Sequence, residues 1–482
     1  MRLASAKARS SGSRHTIKFK VLTGLTTTAN TARFNEPMTS TQKILELNAF
    51  DARSPVPQDP ATAKLIARRL KTFGPTSMLF YQKPLNLVKG EGVWLTDADG
   101  RRYLDAYNNV PSVGHCHPRV VEAVSSQMAK LNTHTRYLFD NVYTYAERLL
   151  ATFPAELGNV VFTCTGSESV DLALRIARHI TGGTGIIATA NAYHGNTTAA
   201  TWVSPSSAST EPTNENIFFV AAPDTYRCPE GLAEKTFLEE IANALARMKR
   251  NGIRPSAMIA DSILSSDGVY PGCSGFLAEA AKLVRAAGAL YIADEVQPGF
   301  ARTGEAMWGF MRHSLVPDLV VLGKPMGNGY PAGGVVCQPQ ILENFGTANG
   351  YFNTFGGNPV AAAAGLAVLD VIRDEGLQNH ARETGTYLLE KLSALSLRHD
   401  KIGDVRGAGL YLGVEFVTDK TTKAPDRVFA TAVMNALRDA GVLGGTCGGN
   451  GNVWKIRPPL CFAHEHADTL VSALDGVLTT IG

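Results

Sequence analysis

Six short apolar runs, NVVFT, GIIATA, IFFVAA, SAMIAD, ALYIAD and DLVVL, punctuate the sequence between Asn159 and Leu322, and longer amphipathic segments such as SVDLALRIARHI and FLAEAAKLVRAAG separate them. Alternation of strand and helix is the signature of βαβ units, in which a mainly parallel sheet is covered on both faces. The rhythm therefore predicts an α/β protein whose large domain spans roughly residues 112–355. Beyond Asn358 the pattern changes. An alanine-rich helix (PVAAAAGLAVLDVI) and a second amphipathic helix precede two alternating strands, GLYLGVEFV and NVWKIRPPL, and a closing helix at HADTLVSALDGVL. This is an α+β arrangement, expected to form a smaller domain over residues 356–482. Upstream, Lys89 to Val110 reads as a hairpin turning at DADG, with no catalytic group evident in it. Residues 51–111 are expected to join the smaller domain, so that one cleft is built from both parts, and residues 1–50 form a leader.

Composition excludes several classes. At 482 residues, 44% hydrophobic and 18% charged, the chain can bury large cores. No stretch approaches the roughly 18 uninterrupted apolar residues of a membrane span. The formal charge of +3 is unevenly distributed: residues 1–38 hold seven basic groups and one acid, leaving 39 basic against 42 acidic groups in the remainder. A mildly acidic body argues against nucleic-acid binding, which needs a clustered basic face. The leader, rich in Ser, Thr and Arg, has two readings: a disordered extension upstream of Met38, with the protein cytoplasmic, or a mitochondrial transit peptide.

Seven scattered cysteines with no C-x-x-C pair imply reduced thiols. GHCHP (His115, His117) and AHEHA (His464, His466) lack zinc spacing, so no metal is expected. GAGLYLG, Gly407 to Gly413, runs into a strand rather than a helix, which sets it apart from the dinucleotide fingerprint.

In open parallel sheets ligands bind at the carboxyl ends of strands. After ALYIA come Asp294 and Gln297; after DLVVLG comes Lys324; after NVVFT comes a turn with Gly166 and Ser167 that opens a helix; after GIIATANA come Tyr193 and His194. Each type has a use. A desolvated lysine has a lowered pKa and forms a Schiff base with an aldehyde. A glycine-serine turn entering a helix offers N–H groups to a phosphate. A carboxylate keeps a heterocyclic nitrogen protonated, making the ring an electron sink, and a tyrosine stacks on that ring. Singly these signals are weak; jointly they describe a site for pyridoxal 5′-phosphate.

The segments GHCHP, FTCTGSES, AYHG, IADEVQPGFARTG, GKPMGNGYP, FNTFGGNP, DVRGAGLYLGVEF and KIRPPL, spread from about Gly90 to the C-terminus, resemble those of class III aminotransferases among the fold type I pyridoxal-phosphate enzymes. The resemblance implies a Schiff-base lysine at Lys324, which also shuttles a proton. It implies pairing of Asp294 with the pyridinium nitrogen, a hydrogen bond from Gln297 to the ring hydroxyl, a phosphate cradle at Gly166 and Ser167, and stacking by Tyr193 beside His194. Thr354 would reach the phosphate of a neighbouring subunit, which requires a homodimer or a dimer of dimers. Arg457 would hold a substrate carboxylate as a bidentate partner.

Two departures bear on activity. In IADSILSSDG, Asp261 replaces a family glutamate at a cofactor-binding position, and Ser266 stands where many relatives keep a second glutamate that pairs with the arginine. NNVPSVGHCHP and GKPMGNGYP also look like the phospho-lyase branch of the family. The expected activity is amino-group transfer from a primary amine or amino acid to a 2-oxo acid such as pyruvate. The alternative is elimination of phosphate and ammonia from a small amino-alcohol phosphate.

Overall fold

A computed structural model of the chain describes residues 48–51, 56–76, 78–207, 214–229, 231–272 and 275–482. The reading of residues 1–38 as extension or transit peptide lies outside them. The first sheet begins with β1 (Leu87–Glu91), β2 (Trp94–Asp97) and β3 (Arg102–Asp105). The central sheet holds β4 (Asn159–Thr163), β5 (Gly185–Thr189), β6 (Ile217–Val220), β7 (Pro255–Asp261), β8 (Leu290–Asp294), β9 (Leu319–Leu322) and β10 (Gly333–Cys337). The tail adds β11 (Ile402–Ala408), β12 (Tyr411–Phe416), β13 (Val442–Leu443), β14 (Gly445–Cys447) and β15 (Val453–Ile456).

The central sheet runs β4-β10-β9-β8-β7-β5-β6. Its pairs from β9 to β6 are parallel. β10 lies antiparallel between β4 and β9; no strand was expected at GGVVC, and its insertion makes the sheet mixed. Alternation along each strand divides the core. Ile186, Ile259, Ile292, Val321 and Val335 pack in one cluster. Ile187, Met258, Tyr291, Val320 and Val336 belong to the other. Successive side chains leave a strand on opposite faces, so apolar runs without polar interruption require cover on both.

That cover comes from helices placed before, between and after the strands: α1 (Pro60–Phe73), α2 (Pro118–Lys130), α3 (Asp140–Leu150), α4 (Gly166–Thr181), α5 (Thr198–Trp202), α6 (Leu232–Arg250), α7 (Phe276–Ala286), α8 (Pro339–Ala348), α9 (Pro359–Asp374), α10 (Leu377–Ser396), α11 (Arg427–Asp439) and α12 (His464–Ile481). α4 and α8 supply the first cluster; α6, α7 and α9 supply the second. Among the described residues no helix is long and apolar enough to cross a membrane.

Two expectations are corrected. Lys89 to Val110 is a three-stranded meander, because the chain also turns at Gly92, whose φ of 56° suits glycine, before it turns at DADG. The sheet gains a fourth strand from the tail, β13 pairing parallel to β3. The tail sheet likewise has four strands, in the order β11-β12-β15-β14, where two were expected. GAGLYLG forms the turn between β11 and β12; Gly409 sits at φ 54°, and a Cβ there would meet the Thr303 carbonyl carbon at 2.4 Å. Asn328 of GNGYP ties two distant segments together, accepting from Val113 N and donating to Gly114 O, both at 2.9 Å.

Candidate active site

Parallel register brings the candidate residues to one sheet end. Asp261 closes β7 and pairs with Asp294, which closes β8 and pairs with Val321 of β9. Lys324 follows β9 after a single glycine, Gly323, and sits at φ 26°, a strained conformation for a residue with a side chain. Gly323 permits a close approach: a Cβ there would lie 3.1 Å from both Cα and N of Gly166, at the start of α4. Burial, followed by the nearby Arg457 charge, lowers Lys324 to about 8, against the pull of Asp294. The answer to desolvation is an amine that sheds its proton easily.

Asp294 is buried, and both its oxygens are engaged: His194 Nδ1 lies 2.6 Å from Oδ2, and Val296 N donates to Oδ1 at 3.0 Å. His194 Nε2 is buried without a partner. Ser167, Tyr193, His194, Asp294, Gln297 and Lys324 share one cavity. The first N–H groups of a helix have no intrahelical acceptor. At α4 the Thr165 hydroxyl takes that of Glu168 at 3.2 Å, leaving those of Gly166 and Ser167, which line the same cavity, for a ligand. Ser167 Oγ accepts from Asn196 N at 3.1 Å, so its own proton is free to point elsewhere.

Tyr193, Gln297 and Lys324 also line an adjoining cavity, with Tyr107, Ser266, Lys455 and Arg457. Arg457 is buried, and its Nη1 donates to Asn109 Oδ1 at 2.8 Å and to Gln297 Oε1 at 2.6 Å. Its guanidinium lies 4.5 Å from the centre of the Tyr107 ring. Gln297 also donates to Ser265 Oγ at 2.8 Å and accepts from Tyr411 at 2.9 Å. Asp261 faces its own loop, accepting from Ile263 N at 2.8 Å and Ser265 N at 3.0 Å. It orders the segment that presents Ser265 to Gln297. Thr354 is not brought to this cleft within one chain: it is exposed, in the loop before α9.

The model of the family "Aminotransferase class-III" matches residues 80–478. The chain belongs to that family. It is 40% identical over 447 residues, 90% of this chain and 93% of the other, to alanine--glyoxylate aminotransferase 2 homolog 2, mitochondrial, of Arabidopsis thaliana. Ethanolamine-phosphate phospho-lyase homolog 1 of Caenorhabditis elegans is 36% identical over 436 residues, 86% of this chain and 93% of that protein. Among solved structures, an Arthrobacter phospholyase in complex with phosphoethanolamine superposes with a TM-score of 0.85 at 42% identity, covering 87% of this chain and all of that one. An amine transaminase from an uncultivated Pseudomonas species, in its pyridoxal-phosphate-bound form, gives 0.77 at 28% identity, covering 90% and 100%.

This class III aminotransferase has the fold type I architecture, and its cofactor is pyridoxal 5′-phosphate. The cleft fits that group on its own chemistry. Lys324 suits an aldehyde, the buried Asp294 carboxylate a protonated ring nitrogen, and the α4 N-terminus a phosphate. The space is built with glycine: a Cβ at Gly195, φ 145°, would lie 2.6 Å from Ser167 Oγ.

In the segment with no catalytic group evident, Tyr107 and Asn109 both contact Arg457. Tyr411 and Lys455 were also missed. The signal for Lys455 was available: alternation puts it on the same face as Arg457.

Proposed function

We propose that this aminotransferase moves an amino group from a primary amine or amino acid to a 2-oxo acid such as pyruvate. Bound pyridoxal phosphate supplies an aldehyde that takes up the amine and a protonated ring that accepts electron density. The protein's part is positional and acid–base. Lys324 Nζ would take a proton from the carbon bearing the amine and deliver it to the carbon that was the cofactor's aldehyde, Asp294 would keep the ring nitrogen protonated, and Gln297 and Tyr193 would orient the ring. Arg457 receives a carboxylate. The observation that carries this reading is Lys324 itself: strained, beside Asp294, and lowered to about 8, it is an amine able to both accept and release a proton near neutral pH.

Elimination of phosphate and ammonia from an amino-alcohol phosphate is the second reading, favoured by the likeness to the phospholyase. Both begin with the same proton abstraction. Incubating the holoenzyme with candidate amines, with and without pyruvate, and assaying alanine, ammonia and inorganic phosphate separates them. Alanine formed only with pyruvate supports transfer; ammonia and phosphate without an acceptor overturn it in favour of elimination.

A homodimer completes the site in this proposal. Tyr137, Leu138, Phe352 and Phe355 are exposed apolar residues near Thr354, and Arg136 packs on the Phe352 ring at 3.9 Å. Such a patch suits an interface between copies. A basic, acid-poor leader together with relatives named as mitochondrial favours the mitochondrion over the cytoplasm; imaging of a C-terminally tagged chain tests this.

A further inference from the structure

Asp267 is buried in the loop that follows β7, next to Ser266. Both of its oxygens are committed to the end of β5 rather than to Arg457. Thr189 Oγ1 donates to Oδ2 at 2.6 Å, and Asn191 N donates to Oδ1 at 2.9 Å. These donors begin the loop that carries Tyr193 and His194. Further along, Ser206 Oγ donates to Ala192 O at 2.8 Å, and His194 N donates to Ser204 Oγ at 2.8 Å. Tyr193 lies between the anchors, half-buried, and its hydroxyl makes no hydrogen bond among the described residues. The backbone therefore aims its ring. Asn191 also packs on the turn after β14, where a Cβ on Gly449 would lie 2.9 Å from Asn191 Oδ1.

A buried carboxylate without a cation beside it is expensive. Burial pushes Asp267 up to about 6, the bonds from Thr189 and Asn191 pull it down, Asp261 raises it and His194 lowers it. Those are the titratable groups that face it, and no Lys or Arg pairs with it among the described residues. Above about pH 6 the group is ionised, and both bonds to the loop are of the stronger, charge-assisted kind. As pH falls through that value a neutral acid takes its place, and the hold on the loop weakens. Among the described residues, what the charge holds is the segment leading to Tyr193.

We propose that Asp267 is a positioning residue for the cofactor ring: its ionised carboxylate fixes the start of the loop that lays Tyr193 on that ring. The inference rests on the reading of Tyr193 as the residue that stacks there. Asp267 lines neither cavity of the cleft, so it acts through the loop alone.

The test compares wild-type holoenzyme with Asp267→Asn, Asp267→Ala and Thr189→Val by visible circular dichroism per bound cofactor across the acid and neutral range. The Kd for pyridoxal 5′-phosphate and the melting temperature are measured alongside. Wild type loses dichroism as pH falls through about 6. Asp267→Asn, similar in shape but uncharged, gives a flat profile of reduced amplitude. Thr189→Val removes a bond that favours the charged form and moves the midpoint upward. Asp267→Ala raises Kd about tenfold, as the loss of a charge-assisted bond requires. A midpoint that persists in Asp267→Asn, or is absent from wild type, overturns the proposal. So does a lower melting temperature in Asp267→Ala with dichroism and Kd unchanged, which would make the residue structural only. Should Asp267→Ala fail to fold, the profiles of the other two variants decide. In a Tyr193→Leu background, Asp267→Ala changes Kd by less than about twofold if it acts through the ring, and a full additive loss overturns that route. If Tyr193→Leu alone leaves dichroism and Kd unchanged, the stacking role falls together with this inference; if it lowers dichroism and the Asp267 variants do not, this inference falls alone.

Discussion

His194 Nδ1 lies 2.6 Å from Asp294 Oδ2, with both side chains buried. A carboxylate only accepts, so Nδ1 carries the proton. The histidine thereby fixes the carboxylate, while Val296 N holds the other oxygen. His194→Ala removes a charge-assisted hydrogen bond worth about 1.5–3 kcal/mol, so kcat/KM is expected to fall about 10- to 100-fold. Steady-state kinetics on protein of matched cofactor content checks this; an unchanged kcat/KM would remove His194 from the account.

Lys324 should be unusually reactive in the cofactor-free protein. Only the neutral amine is nucleophilic, and its fraction rises as pH climbs through the pKa, so acetic anhydride labelling of Lys324 should be half-maximal near pH 8, against about 10.4 for an ordinary lysine. Arg457→Met deletes a like charge and should move the midpoint upward. Quantitative peptide mass spectrometry reads both, and a midpoint above about 10 in wild type contradicts the burial argument.

Gly195→Ala should empty the cofactor site without unfolding the chain. The added methyl would meet Ser167 Oγ at 2.6 Å and Cα at 2.8 Å, in a backbone conformation that favours glycine. Cofactor retention after dialysis is expected to fall about tenfold or more, a loss of at least about 1.4 kcal/mol, with far-UV circular dichroism unchanged. Full retention would show that the loop at Gly195 does not bound the phosphate.

The proposed sharing of sites between subunits has its own signature. Lys324→Ala and Thr354→Glu are each expected to be inactive as pure proteins, the second because its carboxylate repels the partner's bound phosphate. Co-refolded together, they regain about a quarter of wild-type activity, since half of randomly paired dimers are mixed and one site in each is intact. No recovery would separate Thr354 from the neighbouring site.

The strand ends were the most legible part of the sequence, because continuous apolar runs have one stable destination and ligands gather where they stop. Asp294 and Lys324 could be read that way, and register brings their strands side by side. β10 was harder: GGVVC opens with two glycines and lies between partners from opposite ends of the domain, β4 and β9. Asn109 and Tyr107 were invisible for a related reason. Their chemistry exists only against Arg457, some 350 residues away in sequence, and local pattern carries no information about such pairing. Lys455 was legible in principle, yet a lysine in a strand ordinarily reads as a solvated edge; only its burial reveals otherwise.

The central claim is that Lys324 is the amine that holds the cofactor. Reduction of the holoenzyme with sodium borohydride, followed by proteolysis and mass spectrometry, tests it directly. The account predicts loss of the yellow colour and a pyridoxyl group on the peptide containing Lys324, with none on Lys455. A label on any other lysine, or a colourless protein that takes up no cofactor, would contradict it.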